Sequence, residues 1–152
     1  MLDLNHLQNY RENNRLEAKQ ALGGLPESIW ETYSAFANTE GGIILLGVEE
    51  LPDKSLVPVN LLDPQWLIDD FWTLLENPSK VSANILTPEC IEIHQIDENQ
   101  IISITVPKAD PRYYPIYIDA DPIHGAYCRR GEGDYRLSQK EIQEERRPEH
   151  AL

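Results

Sequence analysis

The sequence predicts an α+β fold: a mixed β-sheet with two main helices and a short C-terminal helix. Three observations predict it. Two stretches, near 26–38 and 64–75, place apolar residues three and four positions apart, the spacing of a helix with one buried face. The run 43–48 is apolar, bounded by glycines and too short for a helix, so it reads as a central strand buried on both faces. After residue 90, apolar residues alternate with polar ones on either side of an Asp-Glu-Asn turn, which signals a hairpin. A length of 152 residues fits one domain with one core.

Taken in order, residues 2–10 form a short helix or an arm. Residues 15–20 (RLEAKQ) suit either a helix or a strand. Their composition favours helix, but Gly23 and Gly24 would stop it early, and Leu16 and Ala18 alternate with charged neighbours. Pro26 opens the first main helix, whose core stripe is Ile29, Trp30, Tyr33, Phe36 and Ala37. Asn38 to Gly42 ends it, with Gly41 or Gly42 in the left-handed conformation. Asp63 caps the second helix, Pro64 takes its first position, and Leu67, Ile68, Phe71, Leu74 and Leu75 form its stripe. The hairpin of 91–106 follows, then two short strands at 115–118 and 126–130. Ser138 and Glu141 make a capping box for a last helix near Lys140. Residues 143–152 read as a charged tail or the start of a linker, as at the front of a longer protein.

Composition narrows the function classes. No apolar run approaches the ~18 residues of a membrane span, and the N-terminus lacks the pattern of a secretion signal. The cytoplasm is the expected compartment. Cys90 and Cys128 form no CxxC pair, so both read as buried free thiols rather than zinc ligands. The histidines are scattered, and Trp30, Trp66 and Trp72 read as core. Net charge is −13, concentrated in 26–103, where fourteen acids face two bases. Such a chain does not attract phosphate backbones through its overall field. Nucleic-acid contact would need a local basic surface or metal ions held by the acids.

One ordered set of motifs is more specific. Glu12 is followed by Glu17-Ala18-Lys19, then Ser34-Ala35-Phe36-Ala37-Asn38-Thr39-Glu40-Gly41-Gly42 and Gly47-Val48-Glu49-Glu50. Val106-Pro107-Lys108 and Tyr127-Cys128-Arg129-Arg130-Gly131 come later. Across residues 11–142 the chain resembles the Schlafen AlbA-like domain, found in the N-terminal part of bacterial transcriptional regulators and RecG-related helicase proteins. The resemblance implies that fold and a nucleic-acid-binding, DNA-binding regulatory role. The residues themselves do not support ATP binding by this segment, because Gly41-Gly42 lacks the Gly-Lys-Ser/Thr of a phosphate loop.

The resemblance also singles out residues. In Schlafens with ribonuclease activity it implies three acids at Glu12, Glu17 and Glu50, the last an Asp in the active members. Three converging carboxylates would suit Mg²⁺ or Mn²⁺, which polarises a phosphoryl oxygen and activates water. Neither a plain strand nor a plain helix brings Glu12 and Glu17 together, so a loop or bulge at Asn13-Asn14 is required. Lys19, Arg129, Arg130 and Arg136, with Tyr127 and Tyr135 between them, suit a phosphate- and base-contacting surface. Three functions stay open: a DNA- or RNA-binding regulatory domain, a divalent-metal endoribonuclease, and an interaction or homodimerisation module without nucleic-acid binding.

Overall fold

The computed structural model describes residues 2–145. Its centre is a four-stranded sheet in the order β1-β2-β6-β5, formed by β1 (Leu16–Lys19), β2 (Gly42–Leu46), β5 (Ile91–Ile96) and β6 (Asn99–Val106). β1 runs parallel to β2, and β6 is antiparallel to both β2 and β5. The segment that suited helix or strand is thus strand β1. Its local helix preference yields to pairing with the buried β2, a tertiary contact that outweighs intrinsic propensity.

Two helices cover one face of this sheet. α1 (Ser28–Asn38) buries Ile29, Trp30, Tyr33, Phe36 and Ala37, and α2 (Pro64–Leu75) adds Leu67, Phe71 and Leu75. They meet where Trp30 stacks on Phe71, ring centroids 5.1 Å apart. α2 starts as its sequence indicates, with Asp63 accepting from the Trp66 N–H at 3.1 Å. α1 starts two residues after Pro26, because Pro26 contributes its carbonyl to a preceding turn that takes the Ile29 N–H. Trp66 departs from the core reading and is exposed, as is Ile93 on β5.

The opposite face is covered by a 3-10 segment, Leu4–Asn9, and by the hairpin of β3 (Val48–Glu50) and β4 (Leu56–Pro58). Leu7, Leu45, Val48, Leu56 and Ile101 form its apolar contact. The run 43–48 is therefore two strands. Gly47 separates them at φ +83, with its N–H 2.9 Å from the Lys19 carbonyl. A Cβ at Gly47 would lie 2.7 Å from Leu61, so no larger residue fits this corner. Gly41, at φ +76, makes the reversal between α1 and β2, and a Cβ there would meet the Val106 carbonyl at 2.7 Å.

The last third adds a hairpin, β7 (Tyr127–Arg130) with β8 (Gly133–Arg136), and then α3 (Gln139–Glu145). Residues 115–118 make isolated bridges, Tyr117 to Ala126 and Ile118 to Val81, rather than a strand. The capping box forms in both directions: Glu141 N–H donates to Ser138 Oγ, and Ser138 N–H donates to Glu141 Oε1. Residues 143–145 belong to α3, and the rest of the expected tail, 146–152, lies outside the described residues. Cys128 is buried and Cys90 half-buried in a turn; both are free thiols. Among the described residues no helix is long and apolar enough to cross a membrane.

Candidate functional site

The bend that Glu12 and Glu17 require is present. Asn13 Oδ1 accepts the Arg15 N–H at 2.7 Å, and Asn13 and Leu16 exchange backbone hydrogen bonds across a tight turn. The chain doubles back, and Glu12 lies along the outer edge of β1, where its Oε2 accepts the Ala18 N–H at 3.0 Å. There Glu12 shares a hydrogen bond with Glu17. Burial is the main cause that pushes the Glu12 carboxyl up to about 7, and the neighbouring Glu17 adds to it. A carboxyl holding a proton near neutrality can donate to the Glu17 carboxylate.

Glu50 reaches the same corner from the end of β3, and Glu132 from the turn between β7 and β8. Glu12, Glu50 and Glu132 each bring a carboxylate oxygen within 4.8 Å of the others. Glu50 is raised from the ordinary carboxylate range, first by burial and then by the charge of Glu12. Its Oε2 is shut off from solvent and meets no N–H or hydroxyl donor, and the Glu12 carboxyl lies within hydrogen-bond reach of Glu50. An acceptor left bare in this way costs free energy unless a cation or proton meets it. Lys54, on the β3–β4 turn, lies 3.8 Å from both Glu50 and Glu132 with its ammonium largely in solvent.

Glu17 stands beside this group and faces another partner. Its Oε1 is 2.9 Å from Arg129 Nη1, and its Oε2 is 3.9 Å from Lys19. The Arg129 side chain is fully enclosed. Its guanidinium donates to the carbonyls of Asn13 and Leu16, pairs with Asp134 at 2.8 Å, and lies 5.0 Å over the Phe36 ring. Arg129 therefore locks the Asn13 turn onto β7 and α1. A buried charge is held stably only when paired and hydrogen-bonded in this way.

The other basic candidates are spread out. Lys19 is mostly covered and donates to Ser28 Oγ at 3.0 Å. Arg130 points to the opposite side of β7 from Arg129, as strand alternation requires. It pairs with Glu141 at 2.7 Å and remains more than half exposed. Arg136 Nε donates to the Tyr127 hydroxyl at 3.4 Å. Glu132, Lys54 and Asp134 were not singled out by sequence reasoning. Glu132 carried a usable signal, being an acid in a Gly-Glu-Gly turn where the chain must reverse.

A mixed sheet backed by two helices, with acids from its front edge, a hairpin and a late turn gathered at one corner, defines a small α+β domain with an acidic, cation-compatible site. The description "Schlafen, AlbA_2" matches residues 12–138, and the chain belongs to that family. Among solved structures, it is similar to the solution NMR structure of the N-terminal domain of an "ATP-dependent DNA Helicase RecG-related Protein" from Nitrosomonas europaea. The TM-score is 0.64 at 32% identity, over 88% of this chain and 90% of that one. The DIP2311 protein of Corynebacterium diphtheriae shares the fold at TM-score 0.60 and 18% identity; the match covers 89% of this chain and 24% of that protein. No curated protein matches. The family and the Nitrosomonas relative are consistent with a nucleic-acid-related domain.

Proposed function

We propose that this is a nucleic-acid-binding domain that approaches the phosphate backbone at its acidic corner, with a divalent cation between protein and phosphate. The observation that carries the reading is the convergence of Glu12, Glu50 and Glu132, one carboxylate oxygen of each within 4.8 Å of the others, with Glu50 Oε2 enclosed and without an N–H or hydroxyl donor. An all-carboxylate donor set fits Mg²⁺ or Mn²⁺, and the bare Oε2 fits a ligand oxygen. A bound ion would neutralise the corner and supply attraction for phosphate oxygens. Glu17 and Arg129 hold the Asn13 turn that presents Glu12. Exposed Arg130 and Arg136, and Lys19 near the first turn of α1, are the side chains proposed to contact phosphate. This arrangement reconciles nucleic-acid binding with a net charge of −13. We place the domain in a cytoplasmic, multi-domain bacterial regulator or helicase-related protein.

Fluorescence anisotropy with labelled single- and double-stranded DNA and RNA tests this. Binding is expected with Mg²⁺ or Mn²⁺, weakened by chelator and by added salt, and reduced at least about tenfold by Glu50→Gln. Equal binding in chelator and in Mn²⁺ would overturn the cation-mediated reading, and no retention at low salt would overturn nucleic-acid binding altogether.

A second reading, a divalent-metal endoribonuclease, is favoured by geometry: Glu12, half-buried and bonded to the Ala18 N–H, stands within 4.8 Å of Glu50 and Glu132, and burial pushes its carboxyl up to about 7, the range of a general acid–base group. Incubation of structured RNA with Mn²⁺ separates the two. Cleavage that Glu12→Gln abolishes supports the nuclease, and intact RNA that stays bound supports the binding domain.

A further inference from the structure

The two edges of the four-stranded sheet differ in kind. The β1 edge is closed by its own chain: Asn13 pairs with Leu16, and the Glu12 carboxylate takes the Ala18 N–H. The β5 edge has no neighbouring strand among the described residues. The Ile96–Asn99 pair closes a two-residue turn at Asp97 and Glu98, and such a closing pair exchanges both backbone hydrogen bonds. Backbone groups of Glu92, His94 and Ile96 are therefore spent on β6, and those of Ile91, Ile93 and Gln95 point outward. An open edge of this kind is a template for another strand.

The side chains choose the strand. Towards α2, β5 carries half-buried Ile91 and exposed Ile93, which continue into a groove of mixed character with Ile68 and Trp72 beside Gln65 and Asp69. On the other side, Glu92 and His94 lie 3.6 Å apart, and His94 Nε2 meets Ser103 Oγ at 2.7 Å. If a second β5 pairs antiparallel about a two-fold axis at Ile93, Ile93 meets its own copy. Ile91 faces Gln95, and both Glu92 side chains face His94 of the opposite copy. The outward backbone groups then make about six hydrogen bonds. Glu92 and His94 fall at a non-hydrogen-bonded pair, where facing side chains are closest. Moving the axis to Glu92 puts the two glutamates face to face, and moving it to His94 opposes the two imidazoles.

We infer that β5 is a homodimer edge: two copies of this chain join their sheets through antiparallel β5 strands centred on Ile93, with Glu92 and His94 pairing twice across the axis. This surface is separate from the acidic corner, and the dimer presents that corner twice.

Sedimentation equilibrium of the full chain over a wide concentration range tests it, with thermal unfolding run on every variant. A concentration-dependent dimer is expected. Glu92→Lys sets a lysine against each His94 and is expected to raise the dissociation constant about tenfold. Ile93→Lys, at an already exposed position, should leave a folded monomer. Glu92→Lys combined with His94→Glu reverses both pairs and should restore the dimer. If the His94 change disturbs folding through Ser103, the Glu92→Lys and Ile93→Lys variants decide the matter. A chain that stays monomeric throughout, or a dimer indifferent to these two variants, overturns the inference. The monomeric outcome would leave the edge to a strand from a different protein.

Discussion

Glu12 is the residue on which this site turns. It accepts a backbone N–H from β1, lies within hydrogen-bond reach of Glu17, and stands within 4.8 Å of Glu50 and Glu132. Its folded value, about 7, lies above the ordinary 4.5. Folding therefore favours the protonated form, and the penalty for ionising Glu12 is absent below about 4.5, grows between 4.5 and 7, and is complete above 7. Each pKa unit corresponds to about 1.4 kcal/mol, and because Glu12 is only partly buried, solvent screening leaves an effect of about 1 kcal/mol. Glu12→Gln keeps the acceptor for Ala18 and removes the charge. It is expected to be more stable than the parent by about 1 kcal/mol at pH 8 and to lose that advantage near pH 4.5. Urea unfolding at both pH values measures this, and an advantage that is constant with pH would show that Glu12 does not carry the shift.

At the scale of elements, the Ser-Ala-Phe-Ala-Asn stretch is a latch between α1 and the late half of the chain. Asn38 Nδ2 donates to the carbonyls of Ile116 and Tyr127, and its Oδ1 accepts the Ile116 N–H. Ser34 Oγ donates to the Ile116 carbonyl and accepts the Tyr127 N–H. Asn38→Ala leaves these part-buried backbone groups without their side-chain partner and is expected to cost about 2 kcal/mol. Calorimetry reads that loss, and a change under about 0.5 kcal/mol would mean that water replaces the amide. The apolar stripes of α1 and α2 were legible from spacing alone. The polar function of Ser34 and Asn38 was not, because their partners lie about 80 residues away in sequence. The split at Gly47 was hidden for a similar reason: Val48 is as apolar as Leu46, and the left-handed backbone and the close approach of Leu61 that require glycine between them exist only in the folded chain.

For the whole molecule, the charge of −13 is a load that bound cations would relieve. Mg²⁺ or Mn²⁺ at about a hundred times its dissociation constant is expected to stabilise the fold by about 2.7 kcal/mol. Thermal unfolding with and without Mn²⁺ checks this; the same gain in Glu50→Gln would place the ion elsewhere. Fold class and family were legible because motif order survives in the linear chain. The composition of the acidic corner was legible in part. Glu12 and Glu50 were named in advance, and the turn at Asn13 was required by the spacing. Glu132 arrives from a late hairpin whose position depends on the folded chain. Arg129 and Arg130 read alike as neighbours in a strand, and only the packing of α1 decides which one faces inward.

The reach of Arg129 has a consequence for how the protein comes into being on the ribosome. Its guanidinium joins the carbonyls of Asn13 and Leu16, near the start of the chain, to Asp134, near the end of the described residues. Glu12 and Glu17 leave the exit tunnel early, but the brace that sets their turn is not translated until residue 129. The acidic corner also waits for Glu132. During synthesis the front acids are ordinary mobile carboxylates, and the site closes as one of the last acts of folding, after nearly the whole domain has been made.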